Sequence, residues 1–223
     1  MKKSVIVALA VMAFFTVGHA KGISPESEPS APAVVEAVDM GLSVKWASVN
    51  LGARKPSDFG TYYAWGETKP KSFYAWDTYL WSRDNTQFLT KYSPSDGKTK
   101  LDTSDDAARA NWGGDWRMPT TEECEELADP ENCKWEWITQ DGTNGYRVTS
   151  KKTGKHIFLP ITGFRFYAGI QFRAVYGYYW TSSLYQDNPN KAWCLEFNVT
   201  DVSVYHGKLS SNRFSGRCIR AVK

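Results

Sequence analysis

Short runs of alternating apolar and polar residues dominate this chain, and helical spacing is rare, so the pattern predicts mostly strands. Leu42, Val44, Trp46 and Ser48 alternate with Ser43, Lys45, Ala47 and Val49, and Asn50-Leu51-Gly52-Ala53 closes that run. A second short strand, Thr61 to Trp65, runs into the turn residues Gly66 to Pro70. Residues 70–100 scatter Trp76, Tyr79, Trp81, Phe88 and Tyr92 among polar neighbours without a period. Aromatics at that density predict an ordered loop region rather than disorder. Further strands are expected at Trp135–Thr139, Tyr146–Ser150 and His156–Leu159, with Asp141-Gly142 and Asn144-Gly145 supplying hairpin-turn chemistry. Phe164 to Tyr176 reads as a long aromatic loop or ragged strand. The alternating run Gly177 to Ser183, then Trp193–Val199, Val202–Tyr205 and Arg217–Val222, complete a largely antiparallel sheet.

Helix signals are few. Thr120-x-x-Glu123 matches a capping box, Glu122, Glu123, Glu125 and Glu126 suit the positive end of a helix dipole, and Asp129-Pro130 stops the helix. Thr103 or Ser104 caps at most a short turn through Ala110. The class expected is α+β, with a small, mostly antiparallel twisted sheet, one principal helix and long loops.

Composition adds an address. Lys2 and Lys3 precede an uncharged apolar run, Val5 to Phe15, and Gly18-His19-Ala20 offers small residues for cleavage. Residues 1–20 therefore read as a secretory signal peptide, and the run is too short for the roughly 20 residues that span a bilayer. Residues 21–37, rich in proline and serine, read as a flexible tether, with one domain expected over 38–223. The full chain of 223 residues carries a formal charge of +3, and without Lys2 and Lys3 there remain 25 basic against 24 acidic side chains. So balanced a surface does not build the field that nucleic-acid binding needs, and no second apolar run is long enough to be a transmembrane helix. The expected location is exported: periplasmic, cell-surface or extracellular.

Cys124, Cys133, Cys194 and Cys218 are an even set in an exported chain, which favours disulfides. The favoured pairing is Cys124 with Cys133 and Cys194 with Cys218, and a crossed arrangement joining Cys124 to Cys218 stays open. Their spacing does not form the paired knuckles of a structural zinc site.

A set of motifs carries a resemblance. Asp39-Met40-Gly41-Leu42-Ser43-Val44-Lys45-Trp46-Ala47 with Asn50-Leu51-Gly52-Ala53, then Gly60 to Thr68, Asn111 to Thr120, Phe158 to Gly163, Tyr179-Trp180-Thr181-Ser182-Ser183 and Arg217 to Val222 occur in order. Together they resemble the Fibrobacter succinogenes major paralogous domain family of exported proteins in Bacteroidota and Fibrobacter. The resemblance implies a C-type-lectin-like fold, close to that of formylglycine-generating enzymes, and surface proteins with binding or adhesion roles.

Candidate chemistry centres on aromatics and one polar loop. Tyr167, Tyr176, Tyr178, Tyr179 and Tyr185 each offer a rigid face and a hydroxyl, with sheet packing as the competing use. Arg165 and Arg173 could add hydrogen bonds to an anionic ligand. Asp187, Asn188 and Asn190 form a polar loop around Pro189. Oxygen ligands from Asp187 and Asn190 suit calcium, against the plainer reading of an Asn/Pro turn. Trp46, Trp65, Trp116, Trp137 and Trp180 are expected in the core, and Arg117 and Arg220 to pair with carboxylates or carbonyls. The histidines beyond the leader are His156 and His206, and no serine or cysteine sits in a nucleophile elbow. The sequence therefore predicts a non-enzymatic binding domain without a required cofactor, whose partner is a glycan or a surface protein. A structural subunit of an envelope assembly is the alternative, and an enzyme on the same fold comes third.

Overall fold

The computed structural model describes residues 35–83, 85–198 and 211–223. The expected signal peptide, the tether up to residue 34, the strand at Val202–Tyr205 and His206 lie outside the described residues. From Val35 onward the described chain belongs to one compact unit.

Twelve short strands form five separate antiparallel sheets among the described residues. β1 (Ala37–Val38) pairs with β2 (Trp46–Ala47), and β3 (Ser82–Arg83) with β4 (Asn85–Leu89). The regular part is the meander β5 (Cys133–Gln140), β6 (Thr143–Ser150) and β7 (His156–Pro160). Asp141 and Gly142, with φ of 49° and 77°, make the two-residue turn between β5 and β6. Positive φ at both positions matches the right-handed twist of the flanking strands, which is why Asp-Gly marks the spot. β8 (Phe164–Phe166) and β9 (Gly169–Gln171) form a small hairpin. β10 (Tyr176–Leu184), β11 (Lys191–Asn198) and β12 (Ser211–Asn212) form the last sheet.

Two helices accompany them. α1 (Ala107–Trp112) is capped by the Asp106 carboxylate, which accepts from the backbone N–H groups of Ala108 and Arg109. α2 (Thr121–Ala128) starts at Thr120 with the expected capping box to Glu123.

These observations correct the expected class. The protein is β-rich, with several small sheets and two short helices; it is neither a single-helix α+β domain nor a C-type-lectin-like one. Alternation marks strands locally, whereas sheet membership depends on distant pairing, so the one sheet expected from the pattern is five. Leu42–Val49 contributes only Trp46–Ala47 as strand, and Thr61–Trp65 only an isolated bridge from Tyr63 to Arg217. β1 also starts inside the stretch expected to be tether, and Val35 packs against the core.

What joins the sheets is the C-terminal segment, buried without interruption from Arg213 to Val222. Its carbonyls accept from opposite sides of the fold: Trp65 N–H reaches Arg213 O at 2.8 Å, Tyr63 N–H reaches Arg217 O at 2.9 Å, Trp180 N–H reaches Cys218 O at 3.0 Å and Ala47 N–H reaches Ala221 O at 2.8 Å. A backbone this buried needs a partner for each polar group, and irregular bridges supply them where a regular ladder does not.

β10 divides the core. Tyr179 faces a cluster with Trp46, Tyr146, Leu195 and Phe197, while Trp180 faces another with Trp65, Tyr92, Leu184 and Ile219. The same alternation overturns the disulfides. Among the described residues there is no disulfide, and Cys124, Cys133, Cys194 and Cys218 are all buried thiols. Cys194 lies opposite Trp180 on β11, whereas Cys218 bridges to Tyr179 on the other edge of β10. Two strand spacings of about 4.8 Å exceed the roughly 7 Å limit on Cα separation for a bridge, and the two side chains enter different clusters.

Candidate functional site

Two surfaces carry the residues singled out from the sequence. The first is the β8–β9 hairpin with the segment after it. Tyr167 at the hairpin tip is 50% exposed, Phe172 55% and Val175 45%, and Phe73 comes from a distant part of the chain to lie 5.4 Å from the Tyr167 ring. The tip is tied down by paired backbone bonds between Tyr167 and Tyr74, at 2.9 and 3.0 Å. Tyr167, Phe172 and Ala174 have φ of 51°, 51° and 63°. That region of backbone conformation suits glycine, and a side chain there is strained, of order 1–3 kcal/mol per residue. The surrounding bonds fix three strained residues within eight positions, with large rings turned to solvent.

The remaining residues of the set divide by the alternation of β10. Tyr176 is half-buried and stacks on Tyr178 with centroids 5.6 Å apart. Tyr178 and Tyr179 are buried, so neither provides a contact face. Tyr179 donates its hydroxyl to Pro160 O at 2.6 Å, and burial, outweighing the nearby Arg220 charge, pushes its phenol well above the usual range. Arg165 lies over the Tyr62 ring at 5.5 Å, beside a hollow of about 560 Å³ that Thr61, Lys71 and Tyr74 also line. Arg173 is exposed and sits 4.8 Å from the Phe59 ring centroid.

The second surface is a cleft of about 500 Å³ at the start of α2. It exists because β10 bulges between Trp180 and Leu184, where the pairing with β11 slips. Ser182 leaves the ladder to bond Pro119 O at 2.7 Å, and Ser183 Oγ accepts from Thr121 N–H at 3.2 Å. A bulge of this kind bends the strand and re-aims its side chains. Tyr185 and Asp187 line the cleft, and Tyr185 meets Trp193 edge-on at 5.0 Å.

Asn188 and Asn190 are not among the residues lining the cleft. Asn188 spends its Oδ1 on the Asn190 N–H at 3.1 Å, which is the turn use of asparagine. Asn190 Oδ1 is buried without a hydrogen-bond partner. Among the described residues no group of three or more His, Cys, Asp and Glu is arranged to hold a metal ion. Asp187 lines the cleft and Asn190 does not, so the pair suggested for calcium is not brought together there.

Sequence reasoning missed Phe73, Trp193, Glu122 and Glu125. Phe73 is brought to Tyr167 by an isolated bridge across the chain, which leaves no local signal. Glu122 and Glu125 were legible only as helix-dipole residues. Trp193 alternates with buried Ala192 and Cys194, and that period-2 offset was the available clue.

Assembled in this way, the chain is a β-rich domain with a strained aromatic hairpin and a bulge-built cleft. The family model for the Lcl C-terminal domain matches residues 74–220, about two thirds of the chain, and the protein belongs to that family. The match spans both the hairpin and the cleft and starts one residue after Phe73. No curated protein and no solved structure matches the chain. Among the described residues no helix is long and apolar enough to cross a membrane.

Proposed function

We propose that this protein is an exported, surface-associated binding domain that contacts a glycan or a protein through the hairpin face formed by Phe73, Tyr167, Phe172 and Val175. The observation carrying this reading is the strained aromatic face itself. Exposed rings on a backbone held at positive φ cost stability, and rigid aromatic anchors are what recognition surfaces use. Membership in the Lcl C-terminal domain family and the resemblance to the Fibrobacter major paralogous domain support a role at the cell surface. The leader-like residues 1–20 support export to the periplasm, the cell surface or the medium. The reading requires no catalytic group and no cofactor.

The test is a glycan array joined to a pull-down from envelope fractions, using the wild-type chain and Tyr167→Ser and Phe172→Ser. Both side chains are exposed, so the variants fold, and retained cooperative unfolding checks this. A ligand whose affinity drops tenfold or more in either variant supports the hairpin face, a size expected for a central aromatic anchor. Binding equal to wild type in both variants overturns it.

The exposed apolar pair Phe172 and Val175 also favours a second reading, a structural subunit of an envelope assembly. Cross-linking in the native envelope distinguishes the two, since a stoichiometric protein neighbour joined through the hairpin favours assembly.

A further inference from the structure

We propose that the cleft beside α2 is a second binding site, distinct from the hairpin face, that takes a saccharide bearing a protonated amine. Its volume of about 500 Å³ lies within the 300–1,000 Å³ that small-ligand clefts occupy. One wall is the edge-to-face pair Tyr185 and Trp193, both half-buried and therefore held in place while keeping an open face. Aromatic rings fixed in this way stack on the apolar face of a sugar ring. Thr99 and Thr121 also line the cleft, and their hydroxyls give a sugar donors and acceptors.

Charge decides which sugar. Among the described residues lining the cleft, Glu122, Glu125 and Asp187 stand with one cation, Lys100. Glu122 and Asp187 are exposed, and neither forms an ion pair among the described residues. The N-terminus of α2 offsets this only in part, because two of its first-turn N–H groups are already taken. Thr121 N–H is given to Ser183 Oγ, and Glu123 N–H to Thr120 Oγ1. Two of the backbone donors that would have favoured an anion are thus taken inside the fold. A sulfate or uronate entering here meets excess negative charge, whereas an ammonium on the sugar makes charge-assisted hydrogen bonds to Glu122 and Asp187.

Calorimetric titration of the whole chain with a β-1,4-linked glucosamine tetramer, and separately with its N-acetylated counterpart, tests this. The amine-bearing tetramer is expected to bind about tenfold more tightly, the combined worth of two exposed charge pairs. The gap closes as pH rises and the amine loses its proton. Glu122→Gln with Asp187→Asn removes the gap and leaves the acetylated tetramer unaffected, while Tyr185→Ala weakens both ligands. Phe172→Ser changes neither, which keeps failure here separate from failure of the hairpin reading. Equal affinity for the two tetramers, no binding of either, or tighter binding of a uronic-acid tetramer overturns the proposal.

Discussion

Arg220 is fully enclosed and meets no carboxylate among the described residues. Its guanidinium donates instead to Asn50 Oδ1 at 2.8 Å, Phe158 O at 2.7 Å, Ala47 O at 3.1 Å and Ser48 O at 3.3 Å. Burial pulls its pKa down to about 10, so it stays charged at neutral pH. The planar fork links the N-terminal strands, β7 and the C-terminal segment in one side chain. Arg220→Met leaves these acceptors buried and unsatisfied, and denaturant unfolding should show a loss of about 3–5 kcal/mol. Arg220→Lys should recover only part of it, because a point ammonium cannot reproduce a fork. A basic residue inside an apolar run must find oxygen, which makes carbonyl capping by Arg220 legible in the sequence. Which oxygens it finds depends on segments some 60 and 170 residues away.

At the scale of elements, α2 shows how far local rules reach. Thr120 Oγ1 accepts from Glu123 N–H at 3.3 Å, Glu123 Oε2 accepts from Thr120 N–H at 2.8 Å, and Arg117 Nη1 adds a bond to Glu123 at 2.8 Å. Thr120→Ala should cost about 1 kcal/mol in thermal or denaturant unfolding, the usual worth of such a cap. Burial alone would raise the Glu123 carboxyl, but Arg117 and the Thr120 N–H outweigh it and hold it below the ordinary glutamate range. A depressed folded pKa stabilises above the unfolded value, and that stabilisation is lost as pH falls through the folded one. Glu123→Gln should therefore be less stable than wild type near neutrality, by about 1 kcal/mol, and match it once acid has protonated Glu123; unfolding curves across that range check the convergence. The box and the Asp141-Gly142 turn were legible because every partner lies within a few residues. α1 was only half-legible: Thr103, Ser104, Asp105 and Asp106 are all capping types, and the choice of Asp106 came with its third bond, from Met118 N–H at 2.8 Å.

For the molecule as a whole, the four cysteines give the clearest expectation. Burial pushes the Cys133 thiol up to about 11 and Cys218 up to about 12, so neither presents a reactive thiolate near neutrality. Iodoacetamide should label the folded protein slowly and the unreduced, unfolded protein at four positions, read by intact mass. Reductant should leave the melting temperature unchanged. Two adducts fewer after unfolding would reveal a bridge. Cohesion instead comes from the aromatic core on both faces of β10 and from the threaded C-terminal segment, which holds Arg213, Arg217 and Arg220 inside the fold. Arg213 donates to Tyr79 Oη at 2.9 Å and to Pro189 O at 2.8 Å, tying the aromatic 70–100 region to the loop before β11.

Asn144-Gly145, expected in a turn, lies within β6, but by itself the sequence determined the Asp141-Gly142 turn, the capping box, the core tryptophans Trp46, Trp65, Trp116 and Trp180, and the aromatic richness of 164–176. Each depends on contacts a few residues long or on apolar bulk that water excludes from any surface. Tertiary structure alone decided that the strands divide into five sheets, that Cys194 and Cys218 take opposite faces of β10, that Tyr178 and Tyr179 turn inward while Tyr167 and Phe172 face solvent, and that a bulge opens a cleft beside α2. The reason is common to all four. A strand's period assigns residues to two faces, but only its distant neighbours determine which face is covered.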